Sequence, residues 1–170
     1  SFPTRRSSDL DRLEGRELCR WVDLPLCTAD YAQAMGCRKD RAFDEAHLLH
    51  DRSHEPWTAW FESAGYAGKV DAGSGTVFNE TSLCLSAALA GSGIVIGDTF
   101  LAFRHIEAGM LVSPFSLGVR SREAYFLYRR KGAGSTPAER AFEQWILAAL
   151  ETHAVKVAQL LSRLGIDVVD

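Results

Sequence analysis

The stretch Phe78–Phe115 decides the fold, and it reads FNETSLCLSAALAGSGIVIGDTFLAFRHIEAGMLVSPF. Its apolar segment Leu83–Leu89 predicts a helix that ends at Gly91, a residue typical of the position just after a helix. The following Gly93–Gly97 (GIVIG) is typical of a buried strand. Residues 98–109 then predict a second helix, capped by an aspartate and stopped by a glycine. The stretch therefore alternates helix, strand and helix.

The same alternation extends to both sides of this stretch. Further helices are predicted over residues 29–34, 56–65 and 136–165. Extended segments are predicted over residues 17–27, 46–50, 76–78, 110–115 and 123–129. Because strands alternate with helices along the chain, the sequence predicts an α/β domain with a largely parallel sheet.

Two of these helices carry clear local signals. Pro56 suits the first turn of a helix, and Trp57, Trp60 and Phe61 follow at the spacing of one apolar face. Thr136–Glu139 (TPAE) is a capping box with proline at the first helical position. An apolar stripe follows it up to the stop signal Gly165 and consists of Phe142, Trp145, Ile146, Ala149, Val155, Leu160 and Leu164.

Composition excludes several classes of protein. The chain has 170 residues, of which 46% are hydrophobic and 24% charged, as in an ordinary globular domain. No apolar run approaches the ~20 residues of a membrane helix. The formal net charge is −3 and the isoelectric point is about 5.9, so phosphate contacts do not hold this chain to nucleic acid.

The cysteines and the first ten residues bear on the cellular compartment and on the natural start of the chain. Cys19, Cys27, Cys37 and Cys84 form no C-x-x-C pair and are predicted to be reduced, mostly buried thiols, which favours the cytoplasm. Ser1–Leu10 (SFPTRRSSDL) resembles a translated sequencing adapter. It is therefore interpreted as an artefact or, alternatively, a disordered terminus. The artefact interpretation predicts that the coding sequence was truncated at Asp11, which is then not the natural start.

Two sets of residues have the composition of a functional site but not its arrangement. Gly91-Ser92-Gly93 follows a helix and opens a strand, which is the reverse of both a phosphate-binding loop and a nucleophile elbow. His47, His50 and His54 with Asp51 contain metal-ligating side chains, yet a strand and a loop separate them, so no metal site is predicted. His50 and Asp51 end a strand, where α/β proteins bind ligands.

The polar turn Asn79–Ser82 is the best candidate for a binding site. It ends a strand and opens a helix, so its hydroxyl and N–H groups could bind a carboxylate. Alternatively, Asn79 or Thr81 only caps the helix. Tyr125 has a similar ambiguity, because its hydroxyl could contact a ligand or solvent.

Three segments together resemble the effector-binding domain of LysR-type transcriptional regulators. They are Leu48–Gly65 (LLHDRSHEPWTAWFESAG), the stretch quoted first, and Glu123–Leu150 (EAYFLYRRKGAGSTPAERAFEQWILAAL). The resemblance covers about Leu13 to Leu150. It is similar to the branch that includes the glycine-cleavage activator and the β-lactamase inducer.

The resemblance implies a periplasmic-binding-protein-like type 2 fold of two α/β lobes with a small ligand between them. The implied division is a lobe I remnant and first crossover strand at 11–29, a complete lobe II at 30–118, a return crossover and partial lobe I at 119–152, and a helical extension at 153–170. The winged helix-turn-helix of that family is absent from these residues. Phe142, Trp145 and Ile146 are then expected to be exposed and to drive association.

The resemblance also implies a function. The chain is predicted to be the ligand-sensing domain of a cytoplasmic transcriptional regulator and not an enzyme, without cofactor or metal. Its partners would be a small effector, such as an amino acid, a peptide or a carboxylate, and further copies of itself. DNA would be bound only through the winged helix-turn-helix that these residues lack. The effector-binding residues would be Asn79, Thr81, Ser82, Tyr125, His50 and Asp51. The alternative is a solute-binding protein of a transporter with the same fold.

Overall fold

The computed structural model describes residues 12–36, 43, 46–132 and 134–170. These residues form eight strands, which are β1 (Leu13–Cys19), β2 (Val22–Leu26), β3 (Leu48–Asp51), β4 (Thr76–Phe78), β5 (Ile94–Asp98), β6 (Leu117–Arg120), β7 (Tyr125–Arg130) and β8 (Asp167–Val169). They also form five helices, which are α1 (Ala29–Ala34), α2 (Glu55–Ser63), α3 (Thr81–Leu89), α4 (Phe103–Glu107) and α5 (Pro137–Leu164). The predictions for Ser1–Leu10 and Cys37 lie outside the described residues.

The chain divides into two compact units. The smaller unit contains the described residues up to Arg20 together with Arg122–Lys156, and the larger contains Trp21–Ser121 together with Val157–Asp170. The α/β fold class predicted from the sequence is confirmed, while the lobe boundaries stay predictions. Within the described residues, no helix is long and apolar enough to cross a membrane.

The larger unit is built on a mixed six-stranded sheet with the order β4-β3-β5-β2-β6-β8. Parallel pairs join β3 to β4, β3 to β5, and β6 to β8. Strand β2 runs antiparallel to both of its neighbours, β5 and β6. The prediction of a largely parallel sheet was therefore wrong for β2.

Two extended segments differ from their predictions. The single strand predicted over residues 17–27 is broken at Arg20–Trp21, so that β1 and β2 belong to different sheets. The segment predicted over residues 110–115 forms one bridge, between Val112 and Cys27, instead of a strand. Both outcomes depend on partners distant in sequence, which local apolar patterns do not reveal.

Helices α2 and α3 cover opposite faces of the large sheet. Leu49 belongs to one buried cluster with Cys84 and Ala88 of α3. Its neighbour Leu48 belongs to a second cluster with Trp57 and Trp60 of α2. Because successive strand residues point to opposite faces, the side chains of β3 contribute alternately to the two cores.

The predicted aromatic face of α2 is confirmed. Trp57, Trp60 and Phe61 are all at most 2% exposed, and burying each such side chain stabilises the fold by about 1.5–3 kcal/mol. The indole N–H groups of the two tryptophans donate to the carbonyl oxygens of Leu49 and Leu117, at 3.1 and 3.2 Å. The buried rings therefore leave no indole donor unpaired.

The smaller unit contains the antiparallel pair β1–β7 and the first part of α5. The predicted capping box is confirmed, since Glu139 N–H donates to Thr136 Oγ1 at 3.2 Å and Thr136 N–H donates to Glu139 Oε2 at 2.7 Å. Arg16 of β1 donates to Glu143 of α5 at 2.8 Å. Of the three side chains predicted to be exposed, Phe142 and Trp145 are 51% and 62% exposed, whereas Ile146 is half-buried.

Candidate functional site

The candidate site lies where β3 and β4 end and α3 begins. The two strands are parallel neighbours, and Asp51 is aligned with Phe78 in their register. Both carboxyl ends therefore meet at one edge of the sheet, which is where α/β proteins place ligands. The chain leaves β4 through Asn79 and Glu80 and enters α3 at Thr81.

Thr81 does not cap α3, contrary to one of the alternatives left open by the sequence. The N-cap residue is Glu80, whose side chain makes no capping hydrogen bond, and Asn79 precedes it. Thr81 is the first residue of the helix, and its hydroxyl donates to Asp51 Oδ2 at 2.6 Å. A charge-assisted bond to a carboxylate is stronger than a neutral one, so the hydroxyl turns towards Asp51.

The second oxygen of Asp51 is the unusual feature of the site. Asp51 Oδ1 is buried and accepts no hydrogen bond from any described residue. The nearest cation is the guanidinium of Arg52, whose Nε lies 3.7 Å from Oδ1, beyond hydrogen-bonding distance. The Arg52 side chain is 70% exposed, so this ion pair is weak.

Arg52 also has a strained backbone and was missed in the sequence. Its φ of 63° lies in the left-handed region, and it is the one non-glycine residue with positive φ that the described part of the chain contains. Its N–H donates to the carbonyl oxygen of Phe78 at 2.8 Å, which ties the end of β3 to the end of β4. Because glycine normally marks this conformation, an arginine gives no sequence signal.

Cys84 lies one turn along α3 from Thr81 and is fully buried. Burial raises the pKa of the Cys84 thiol to about 12, and the negative charge of Asp51 acts in the same direction. The thiol is therefore uncharged at neutral pH and unsuited to nucleophilic attack. This agrees with the prediction of a reduced, buried thiol at Cys84.

Ser82 and Asn79 complete the edge of the site with exposed side chains. Ser82 is the second residue of α3, and its carbonyl oxygen accepts a hydrogen bond from the Ser86 hydroxyl at 2.7 Å inside the helix. The side chains of both residues therefore remain available to a bound molecule, beside the Asp51–Thr81 pair.

His50, which the sequence placed with Asp51, points to the opposite face of the sheet. It is 1% exposed, and its Nε2 lies 2.6 Å from the carbonyl oxygen of Ser74, so that Nε2 is the donor. Its Nδ1 is buried with no hydrogen-bond partner among the described residues. Burial lowers the pKa of His50, since the Ser74 bond opposes this effect only in part. His50 is therefore buried away from the Asp51–Thr81 pair, and its role in effector binding stays a prediction.

The other two histidines of this segment have separate partners. His47 Nε2 lies 2.9 Å from Thr76 Oγ1. The ring of His54 packs edge-on against that of His50, with ring centroids 4.3 Å apart. In the part of the chain that the structure describes, no group of three metal-ligating side chains comes together.

Tyr125 belongs to the smaller unit, whereas the other predicted site residues belong to the larger. It is the first residue of β7, where it is aligned with Cys19 of β1, and it is 41% exposed. Its side chain is accessible within its own unit.

The glycines after α3 have packing roles, and the helix ends at Gly91 as the sequence predicted. Gly91 has a φ of +74° and ends the helix, with Ser92 N–H bonded to the carbonyl oxygen of Ala87. A Cβ atom at Gly93 would lie 2.4 Å from the carbonyl oxygen of His47. Only glycine therefore fits this approach of two strands.

Comparisons with known proteins agree on one family. A family model described as the LysR substrate binding domain matches residues 4–151. The glycine cleavage system transcriptional activator of Escherichia coli K12 is 33% identical over 101 residues, which cover 59% of this chain and 33% of that protein. The transcriptional activator AmpR of Enterobacter cloacae is 29% identical over 138 residues, which cover 81% of this chain and 46% of that protein.

Solved structures of effector domains have the same fold. The effector domain of AmpR from Pseudomonas aeruginosa matches with a TM-score of 0.68 and 25% identity, over 88% of this chain and 69% of that one. The effector-binding domain of AmpR from Citrobacter freundii matches with a TM-score of 0.70 and 23% identity, over 83% of this chain and 69% of that one. The chain spans between a third and a half of the length of the curated relatives it matches.

Proposed function

The chain belongs to the LysR substrate-binding domain family, and from this premise we propose that it senses a small effector for a transcriptional regulator. The observation that carries the proposal is the match of the family model over residues 4–151. The matching curated proteins named above are transcriptional activators, and no transporter protein is among them, which favours a regulator over a solute-binding protein.

Regulation would operate through the differential affinity of the effector for two arrangements of the intact protein. DNA would be contacted by a winged helix-turn-helix and not by this chain, whose net charge is −3. The intact regulator would work in the cytoplasm as a dimer or tetramer. The larger unit would correspond to lobe II and the smaller unit to a part of lobe I.

The proposed effector site comprises Asp51, Thr81, Ser82 and Asn79. Support comes from the position of these residues at the carboxyl edge of parallel strands, with accessible polar groups beside a carboxylate whose Oδ1 atom is buried. Tyr125 is proposed from the family resemblance alone. His50 is proposed as a supporting residue that holds the Ser74 loop, because its side chain is buried on the other face.

The proposed role is binding and not catalysis. The cysteine nearest to the site, Cys84, is a buried thiol with a raised pKa. The hydroxyl of Thr81 donates its proton to Asp51 in a hydrogen bond. Among the described residues, no histidine that could act as a base makes a hydrogen bond to either of these two side chains. This arrangement suits the recognition of a ligand rather than the activation of a nucleophile.

Two measurements on the 170-residue chain test the proposal. We expect at least one small metabolite to raise the melting temperature saturably, because a ligand that binds only the folded state stabilises it. We also expect no mobility shift of promoter DNA from the source genome at nanomolar protein. Salt-sensitive DNA binding by this chain, or melting unaffected by a broad metabolite panel, would contradict the assignment.

A further inference from the structure

The hydrogen-bonding groups of Asp51 and Thr81 limit what can bind beside them. A threonine hydroxyl has one proton, and that of Thr81 is donated to Asp51 Oδ2 at 2.6 Å. An ionised carboxylate has no proton to donate. The side chains of the pair therefore offer lone pairs only, and a group bound to them must bring the protons.

A second anion is also disfavoured by charge. The amino end of a helix attracts negative charge, and the carboxylate of Asp51 already occupies that position at α3 through Thr81. An effector carboxylate placed against Thr81 would meet the charge of Asp51 and find no hydroxyl proton. This differs from the carboxylate site that the polar turn suggested in the sequence.

Asp51 Oδ1 indicates which kind of group could bind to the pair, namely a hydrogen-bond donor. It is buried without a hydrogen-bond donor, which is an unfavourable state for a carboxylate oxygen. The guanidinium of Arg52 lies over it at 3.7 Å, too far for a hydrogen bond, on a side chain that is 70% exposed. Arg52 thus supplies partial charge compensation and can move away into solvent.

We propose that the Asp51–Thr81 pair selects a protonated primary amine of the effector, and that this amine displaces the Arg52 side chain from Asp51. The proposal rests on the proposed effector-binding function. The ammonium donates one N–H to Asp51 Oδ1 and a second to a lone pair of Thr81 Oγ1. Arg52 is a competing internal cation, so it lowers the affinity for the amine.

The experiment uses the 170-residue chain and matched pairs of probes. The standard amino acids and putrescine supply the amines, and acetate, propionate and glutarate are the counterparts of glycine, alanine and glutamate without the amine. Neutral sugars complete the panel. Melting temperature identifies binders, and titration calorimetry measures their affinity for the wild type, Asp51→Asn and Arg52→Asn. Asparagine tolerates the left-handed backbone at position 52 and still accepts the Thr81 hydroxyl at position 51.

The two variants are expected to act in opposite directions. At least one amine binds while its counterpart without the amine does not, and Asp51→Asn weakens that binding by about tenfold or more, because a charge-assisted hydrogen bond is lost. Arg52→Asn increases the affinity, because the competing cation is removed, and an unchanged affinity would overturn the displacement of Arg52. If Asp51→Asn does not fold, the direction of the Arg52→Asn effect still decides between an amine and an anion.

Other outcomes overturn the inference in distinguishable ways. Equal binding of acids with and without the amine, or weaker binding in Arg52→Asn, would show that Arg52 binds an anion, and the effector-binding function would stand. Binding of neutral sugars alone would show that the site does not select an amine, and the effector-binding function would stand. A panel without any binder would overturn the inference together with effector binding by this chain.

Discussion

Replacing Leu161 by alanine tests whether the segment beyond the family match is part of the core of the larger unit. Residues 152–170 lie outside the family model, yet Leu161 is 5% exposed and packs in the same cluster as Cys84 and Ala88 of α3. Leucine-to-alanine changes at buried positions cost about 2–5 kcal/mol. We expect about 3 kcal/mol here, which corresponds to a melting temperature about 6–12 °C lower in a domain of this size.

Leu164→Ala is the matched control for this change. Leu164 lies in the same helix and is 45% exposed, so the same substitution should cost less than about 1 kcal/mol. Helix propensity cannot explain a difference, since both variants replace leucine by alanine within one helix. Urea unfolding is followed by tryptophan fluorescence, to which all four tryptophans contribute, including the buried Trp57 and Trp60 of the larger unit. Equal losses in the two variants would refute the packing of this segment against α3.

Two further predictions concern His50 and the exposed aromatic pair of α5. Because burial lowers the pKa of His50 in the folded state, its contribution to stability should be complete above about pH 6.5 and should be lost as the pH falls further. His50→Gln, which retains an N–H donor for Ser74, should make the urea midpoint depend less on pH between about pH 8 and pH 5. A pH dependence equal to that of the wild type would contradict this. The chain should also associate through Phe142 and Trp145, whose ring centroids lie 5.8 Å apart on the surface. Sedimentation should show less association after substitution of both by serine than after Val155→Ser, and a monomeric wild type would contradict the expectation.

Much of the local structure could be predicted because it depends on residues close together in the chain. The capping box of Thr136 and Glu139 forms within four residues, and Gly91 and Gly165 end their helices in left-handed conformations. The aromatic face of α2 follows from helical spacing alone. The alternation of these elements was sufficient to predict the α/β class. The order of features over three long segments was sufficient to identify the resemblance to the family.

The details of the site depend on strands that meet from distant parts of the chain. The bond between Asp51 and Thr81 joins residues thirty positions apart, and it requires β3 and β4 to lie side by side in one register. The same register turns His50 to the face of α2, although it is adjacent to Asp51 in sequence. Strand β2 runs antiparallel within the sheet for the same kind of reason. Local patterns thus specify which residues form helices and strands, whereas strand pairing determines which polar groups meet, because hydrogen-bonding partners are selected by distance in space.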